Sequence, residues 1–258
     1  MTSIDVDWTR LFLIYVIEGG TIIIFLAIAL KLILRNRNKF TLALSGYYFS
    51  YVFAFVLNLI YLPLRADPWV YYLHIIGIFW SVFGFVFLLV FNLKLYMRKR
   101  NLTPTHLVLL MGIYAFSILF LLTLPGGITI NSATGWRPVW TWQLFTLLSI
   151  FVSCTLILPI IIISHKIKVT MSVEALKKKW RWHSYGIYLS SFLFLGGLLY
   201  ITWNHNVYRM TWVFLSILMI VAAFLLYSGS AKGLHDQTKA TNESDLIKYK
   251  TRTLLPYL

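Results

Sequence analysis

Glu18 stands inside the apolar run 11–30 and is the only acidic residue within any hydrophobic segment of the chain. An ionised carboxylate at mid-membrane costs about 2.5 to 3.5 kcal/mol on insertion scales, so a residue of this kind calls for partners or a polar cavity. Two groups of complementary chemistry stand at a comparable depth. At 1.5 Å of rise per residue, Glu18 lies about 12 Å beyond Arg10 and His74 about 7.5 Å beyond Trp69, with Asn58 nearly one and a half turns before Pro63. A carboxylate, an imidazole and an amide around one cavity would recognise a small polar ligand, and Trp80 is the aromatic candidate for its wall. The competing reading is a hydrogen-bonded Glu18 that only packs.

Other chemistries fit these residues less well. Glu18, His74 and His205 supply the number of ligands that a zinc site takes, but no histidines stand at i and i+4, and neither a metal nor another cofactor is expected. Paired aspartates for proteolysis within the membrane are excluded because no span contains Asp. Only His74 is available within a span as base to a serine nucleophile. The chain is therefore not expected to be an enzyme, and an intramembrane enzyme ranks third among the readings.

The elements that must position these groups are membrane helices. Of 258 residues, 59% are hydrophobic and 12% charged, with a mean hydropathy of +0.77, whereas soluble domains run near a quarter charged. Seven segments meet or approach the roughly 20 apolar residues that cross a hydrocarbon core: 11–34, 41–63, 69–97, 107–125, 143–164, 184–203 and 211–229. This predicts an all-α, seven-transmembrane-helix bundle over 1–229 and a polar cytoplasmic tail over 230–258. The first span is read as retained, because residues 1–7 are acidic and the apolar run is too long for a signal peptide. Cys154 is the single cysteine, so no disulfide forms within the chain.

The net charge of +15 comes from 23 Lys and Arg, but their placement argues for topology and against nucleic acid. Four of them, Arg10, Arg65, Arg137 and Arg209, fall on the amino-terminal side of the predicted bundle, and the other 19 on the opposite side. That asymmetry predicts the amino terminus outside and the carboxyl terminus in the cytoplasm of a multi-pass cell-membrane protein.

Patterning along the spans adds detail. Tyr47, Tyr51, Asn58 and Tyr61 fall close to one face of the second span. In the third, His74, Gly77, Ser81, Gly84 and Leu88 form a small-and-polar stripe suited to close helix packing. The loop 128–142 carries Trp136, Trp140 and Trp142, either as an interfacial belt or as a lid over a bundle opening. Pro159 removes a backbone hydrogen bond and kinks the fifth span. Ser172 is a candidate cap for a helix that extends the sixth span into the cytoplasm. There Lys177, Lys178, Lys179 and Arg181 would meet an anionic inner leaflet, with Trp180 and Trp182 as interfacial rings, or dock a cytoplasmic signalling partner.

The aromatic second span, Phe83-Gly84-Phe85-Val86-Phe87 in the third, and the Lys/Arg/Trp-rich helix from Lys177 into Tyr185-Gly186-Ile187 together resemble the seven-helix sensor region at the amino terminus of many prokaryotic histidine kinases. The resemblance covers about residues 8–229. It implies a sensing site in the outer half of the membrane and signalling through the cytoplasmic ends. The chain continues for only 29 residues past the seventh span, so the signal would pass to a separate partner. Retinal proteins need a lysine in the seventh span, which is missing here. A small-solute carrier of three-plus-one-plus-three topology shares the helix directions and stands as the alternative, although Glu18-Gly19-Gly20 has no repeat in the fifth span.

Overall fold

The computed structural model describes residues 11–35, 38–64, 68–97 and 103–230. Expectations for the tail beyond Ser230 and for Arg10 and Arg65 lie outside the described residues. Seven helices are long and apolar enough to cross a membrane: α1 Phe12–Arg35, α2 Lys39–Tyr61, α3 Trp69–Tyr96, α4 Pro104–Leu122, α5 Trp142–Thr170, α6 Glu174–Thr202 and α7 Asn206–Ser230. The all-α bundle expected from hydropathy is thus present, with α5, α6 and α7 longer than their apolar runs. The extension is a polar turn at the end of α5 and at the start of α6 and α7, where the backbone goes on bonding to itself past the apolar stretch.

Local sequence sets several boundaries. Asn38 caps α2, its side chain accepting from the Phe40 and Thr41 amides at 2.9 and 2.8 Å while the Thr41 hydroxyl accepts from the Asn38 amide. Thr103 caps α4 ahead of Pro104, whose missing N–H costs nothing in a first turn. At α6 the cap position is Val173, with no side-chain hydrogen bond, so the expected capping by Ser172 is corrected.

α2 lies at the centre of one half of the bundle, packed between α1 and α3. The small stripe on α3 explains how. A methyl on Gly84 would meet the Tyr51 ring at 3.1 Å, and one on Gly77 would sit 3.4 Å from Asn58 Oδ1 and 3.6 Å from the Ala54 carbonyl, so the glycines let the two backbones approach. Tyr47, Tyr48 and Tyr51 are fully buried. Tyr47 donates to Ser190 of α6 at 3.1 Å and Tyr48 to the Ala223 carbonyl of α7 at 2.9 Å, tying α2 to the other half.

Pro159 lies just after a π-helical turn, Ser153–Ile157, within α5. The proline has no N–H to offer the Thr155 carbonyl four residues earlier, and that carbonyl accepts from the Tyr114 hydroxyl of α4 at 2.7 Å. The hydrogen bond lost inside one helix is replaced by a bond between two.

Between α4 and α5 the chain forms a small antiparallel hairpin, β1 Ile128–Thr129 against β2 Val139–Trp140, which helix-based reading of the sequence did not foresee. Asn131 and Thr134 form a reciprocal cap across its tip, and Gly135 and Trp136 take positive φ at 60° and 59°. The hairpin marks one end of the bundle, called here the hairpin end.

Candidate ligand cavity

A partly enclosed cavity of about 400 Å³ opens at the hairpin end, within the range usual for small-molecule sites. α1, α2, α3, α6 and α7 supply its walls, and hairpin residues 133–134 and 137–139 contribute to its rim. Glu18, Asn58 and His74 all line it, so three of the four residues expected to form a site do converge.

The first turns of α1 position Glu18. Residues Phe12–Glu18 are π-helical, with the Gly19 amide donating back to the Ile14 carbonyl, and Leu13, Ile14, Ile17 and Glu18 all face the cavity. Asn58 of α2 donates its Nδ2 to Glu18 Oε2 at 3.1 Å. An amide donating to a carboxylate is a charge-assisted bond, which offsets part of the cost of holding Glu18 in an apolar span. Glu18 therefore faces the interior of the bundle.

His74 is 2% exposed, and its ring lies edge-on to Tyr61. The Trp140 indole donates to His74 Nε2 at 3.0 Å. Indole N–H is only a donor, so Nε2 is the acceptor and the imidazole proton sits on Nδ1. This bond fastens β2 of the hairpin onto α3. Of the two readings of the 128–142 loop, the lid describes Trp140, while Trp142, 55% exposed, has the character of an interfacial ring.

Trp80 does not join this cluster. It packs on Phe53, Phe79 and Phe83, on a face of α3 turned away from the cavity, so its assignment to the pocket wall is corrected. The physical reason is angular: Trp80 stands six residues after His74, about 600° of helix at 3.6 residues per turn, which carries it far round from that face. His205 is also elsewhere, its ring tilted against exposed Trp203 with centroids 5.2 Å apart.

Two arginines missed in the sequence complete the cavity lining, Arg137 in the hairpin and Arg209 on the first turn of α7. Arg209 is held over the Tyr200 ring, 5.0 Å from its centroid, and donates to the Tyr200 hydroxyl at 3.2 Å and to Asn204 Oδ1 at 3.3 Å. In the sequence both carry the sidedness signal; Arg209 stands two residues before the apolar run 211–229, and the helix that begins at Asn206 brings it into the cavity wall.

The deep end of the cavity is closed by aromatic packing. Tyr51 meets Phe25, Tyr47 and Phe85 at ring centroid distances of 5.8, 5.1 and 6.4 Å, and Phe85 meets Phe194 at 5.2 Å. Phe25, Tyr47 and Phe85 are completely buried.

At the opposite end, Lys177 and Arg181 of α6 approach Glu174 at 3.5 and 3.8 Å on an exposed surface. Lys178 and Lys179 lie in the same first turns of α6. Trp180 is not an interfacial ring as expected; it is 3% exposed and donates to the Ser164 carbonyl of α5 at 2.8 Å, whereas Trp182 is 47% exposed. Compared with protein-family models and with characterised proteins, the chain matches none.

Proposed function

We propose that the protein is a membrane-embedded receptor that binds a small ligand in the hairpin-end cavity and reports it through the opposite ends of its helices to a separate partner. The observation that carries this reading is the meeting of Glu18 and Asn58, from two helices, in the wall of a cavity roofed by a hairpin latched to His74. The distribution of Lys and Arg supports an orientation with the hairpin end outside and the α6 cluster of Lys177, Lys178, Lys179 and Arg181 in the cytoplasm, against an anionic leaflet or a signalling partner.

The aromatic floor around Tyr51 and Phe85 closes the site on the side away from the hairpin, as a receptor site requires and as one state of a carrier also shows, so experiment makes the choice. Purified protein reconstituted in proteoliposomes tests the choice. A receptor stabilised by a metabolite fraction shows a raised melting temperature and no solute uptake. Gly197→Phe, which fills the cavity, is expected to abolish the rise in melting temperature. Saturable uptake that Gly197→Phe blocks would overturn the receptor reading in favour of transport.

A further inference from the structure

The charges around the cavity define the kind of ligand it takes. Arg137 and Arg209 bring two permanent positive charges to its lining and Glu18 brings one carboxylate, so the lining stays net positive whether or not Glu18 is ionised. The guanidiniums are grouped toward one end. Arg137 is in the roofing hairpin and Arg209 is near the start of α7, whereas Met219, ten residues further along α7, marks a depth of about 15 Å. Between these levels Ile17, Phe194, Leu198, Trp212 and Met219 give the wall an apolar face, while Glu18 and Asn58, bonded to each other, and Ser216 are polar groups on the same lining.

A positive rim over a shaft with one apolar face, whose carboxylate is already met by Asn58, matches a molecule with a charged head and an apolar chain. We infer that the cavity takes an amphipathic anion, a carboxylate or phosphate on an apolar chain, with its head at Arg137 and Arg209 and its chain directed toward Phe194. This rests on the reading of the cavity as a ligand site and specifies its occupant. Arg209 is pre-oriented for the task, since its stacking on Tyr200 and its bonds to Tyr200 and Asn204 fix the guanidinium plane before an anion arrives. The same head chemistry belongs to free alkyl carboxylates and to acidic lipids, so the source is decided by experiment.

The test uses the full chain in phosphatidylcholine nanodiscs, following intrinsic tryptophan fluorescence, to which Trp212 in the cavity lining contributes. Four probes share one chain length: decanoate, decyl phosphate, decanol and decyltrimethylammonium. Decanoate or decyl phosphate is expected to bind at least about tenfold tighter than decanol, and Arg209→Gln and Arg137→Gln are each expected to weaken the anion by about tenfold or more while leaving decanol unchanged. Arg137→Gln, in the hairpin, serves as the second variant should Arg209→Gln fail to fold. Equal or tighter binding of decanol or the ammonium probe, blocked by Gly197→Phe, would overturn the anion but keep the ligand cavity. Silence from all four probes would count against both. Competition by phosphatidic acid added to the disc would identify a lipid as the source, and its failure to compete would identify a soluble anion; either result sustains the inference.

Discussion

Trp140 and His74 are joined by an indole-to-imidazole hydrogen bond of 3.0 Å between the β2 strand of the hairpin and the third helix, both residues being 2% exposed. The hairpin closes backbone bonds of its own, Thr141 N–H to the Gly127 carbonyl among them, and buries Ile128, Ile130 and Trp140; the indole-to-imidazole bond adds a buried side-chain tie to α3. One substitution removes that tie and leaves the packing in place.

Trp140→Phe retains the aromatic packing and removes the donor. Leaving a buried acceptor unmade costs about 1 to 3 kcal/mol, so the variant should melt at lower temperature. Amide hydrogen exchange in residues 128–140 should accelerate while exchange in the aromatic floor around Tyr51 stays slow. Unchanged protection of the hairpin would show that the latch lies elsewhere.

Glu18 and Asn58 supply a second test, by double-mutant cycle. Asn58→Leu alone should destabilise by about 1 to 3 kcal/mol because it strips an amide donor from a carboxylate in an apolar span. Glu18→Gln keeps the shape and should fold. In the Glu18→Gln background the cost of Asn58→Leu should fall, giving a coupling of about 0.5 to 3 kcal/mol in reversible unfolding. A coupling near zero would mean the 3.1 Å contact contributes nothing.

Tyr114 and Pro159 should be coupled as well. Tyr114→Phe removes the hydroxyl that serves the Thr155 carbonyl and should cost about 1 kcal/mol. Combined with Pro159→Ala, which returns a backbone donor to that carbonyl, the loss should shrink, as read by melting of single and double variants.

Glycines on two helices should respond in opposite ways to the same methyl. Added to Gly229, it would run into the backbone of His183, which cannot rotate away, so Gly229→Ala should destabilise by about 1 to 3 kcal/mol or more. At Gly20 nothing stands within 4 Å, and Gly20→Ala should be neutral or stabilise by up to about 1 kcal/mol through helix propensity. Thermal melts of the two variants decide the matter.

The helices were legible because twenty-residue apolar runs leave few alternatives, and so was the depth of Glu18, Asn58 and His74, because rise per residue is fixed. Rotation about the helix axis was the missing coordinate. Trp80 was misplaced for that reason, and Trp180 too, since an amphipathic ring at a helix end satisfies its N–H equally well in water or, as here, on the Ser164 carbonyl. The hairpin escaped notice because two residues per strand carry no periodicity. Arg137 and Arg209 were hidden by their own usefulness as markers of sidedness, which says nothing about where a guanidinium points.

The central claim, a cavity reached from the hairpin end, is tested most directly by thiol labelling in a Cys154→Ala background. Ser216 lines the cavity and Leu156 is completely buried on α5, so Ser216→Cys and Leu156→Cys make a matched pair. A membrane-impermeant thiol reagent applied to the face carrying the hairpin should label Ser216→Cys much faster than Leu156→Cys, and adding Gly197→Phe should slow that labelling to the buried rate. Labelling of Ser216→Cys as slow as Leu156→Cys, or only from the opposite face, would contradict the account.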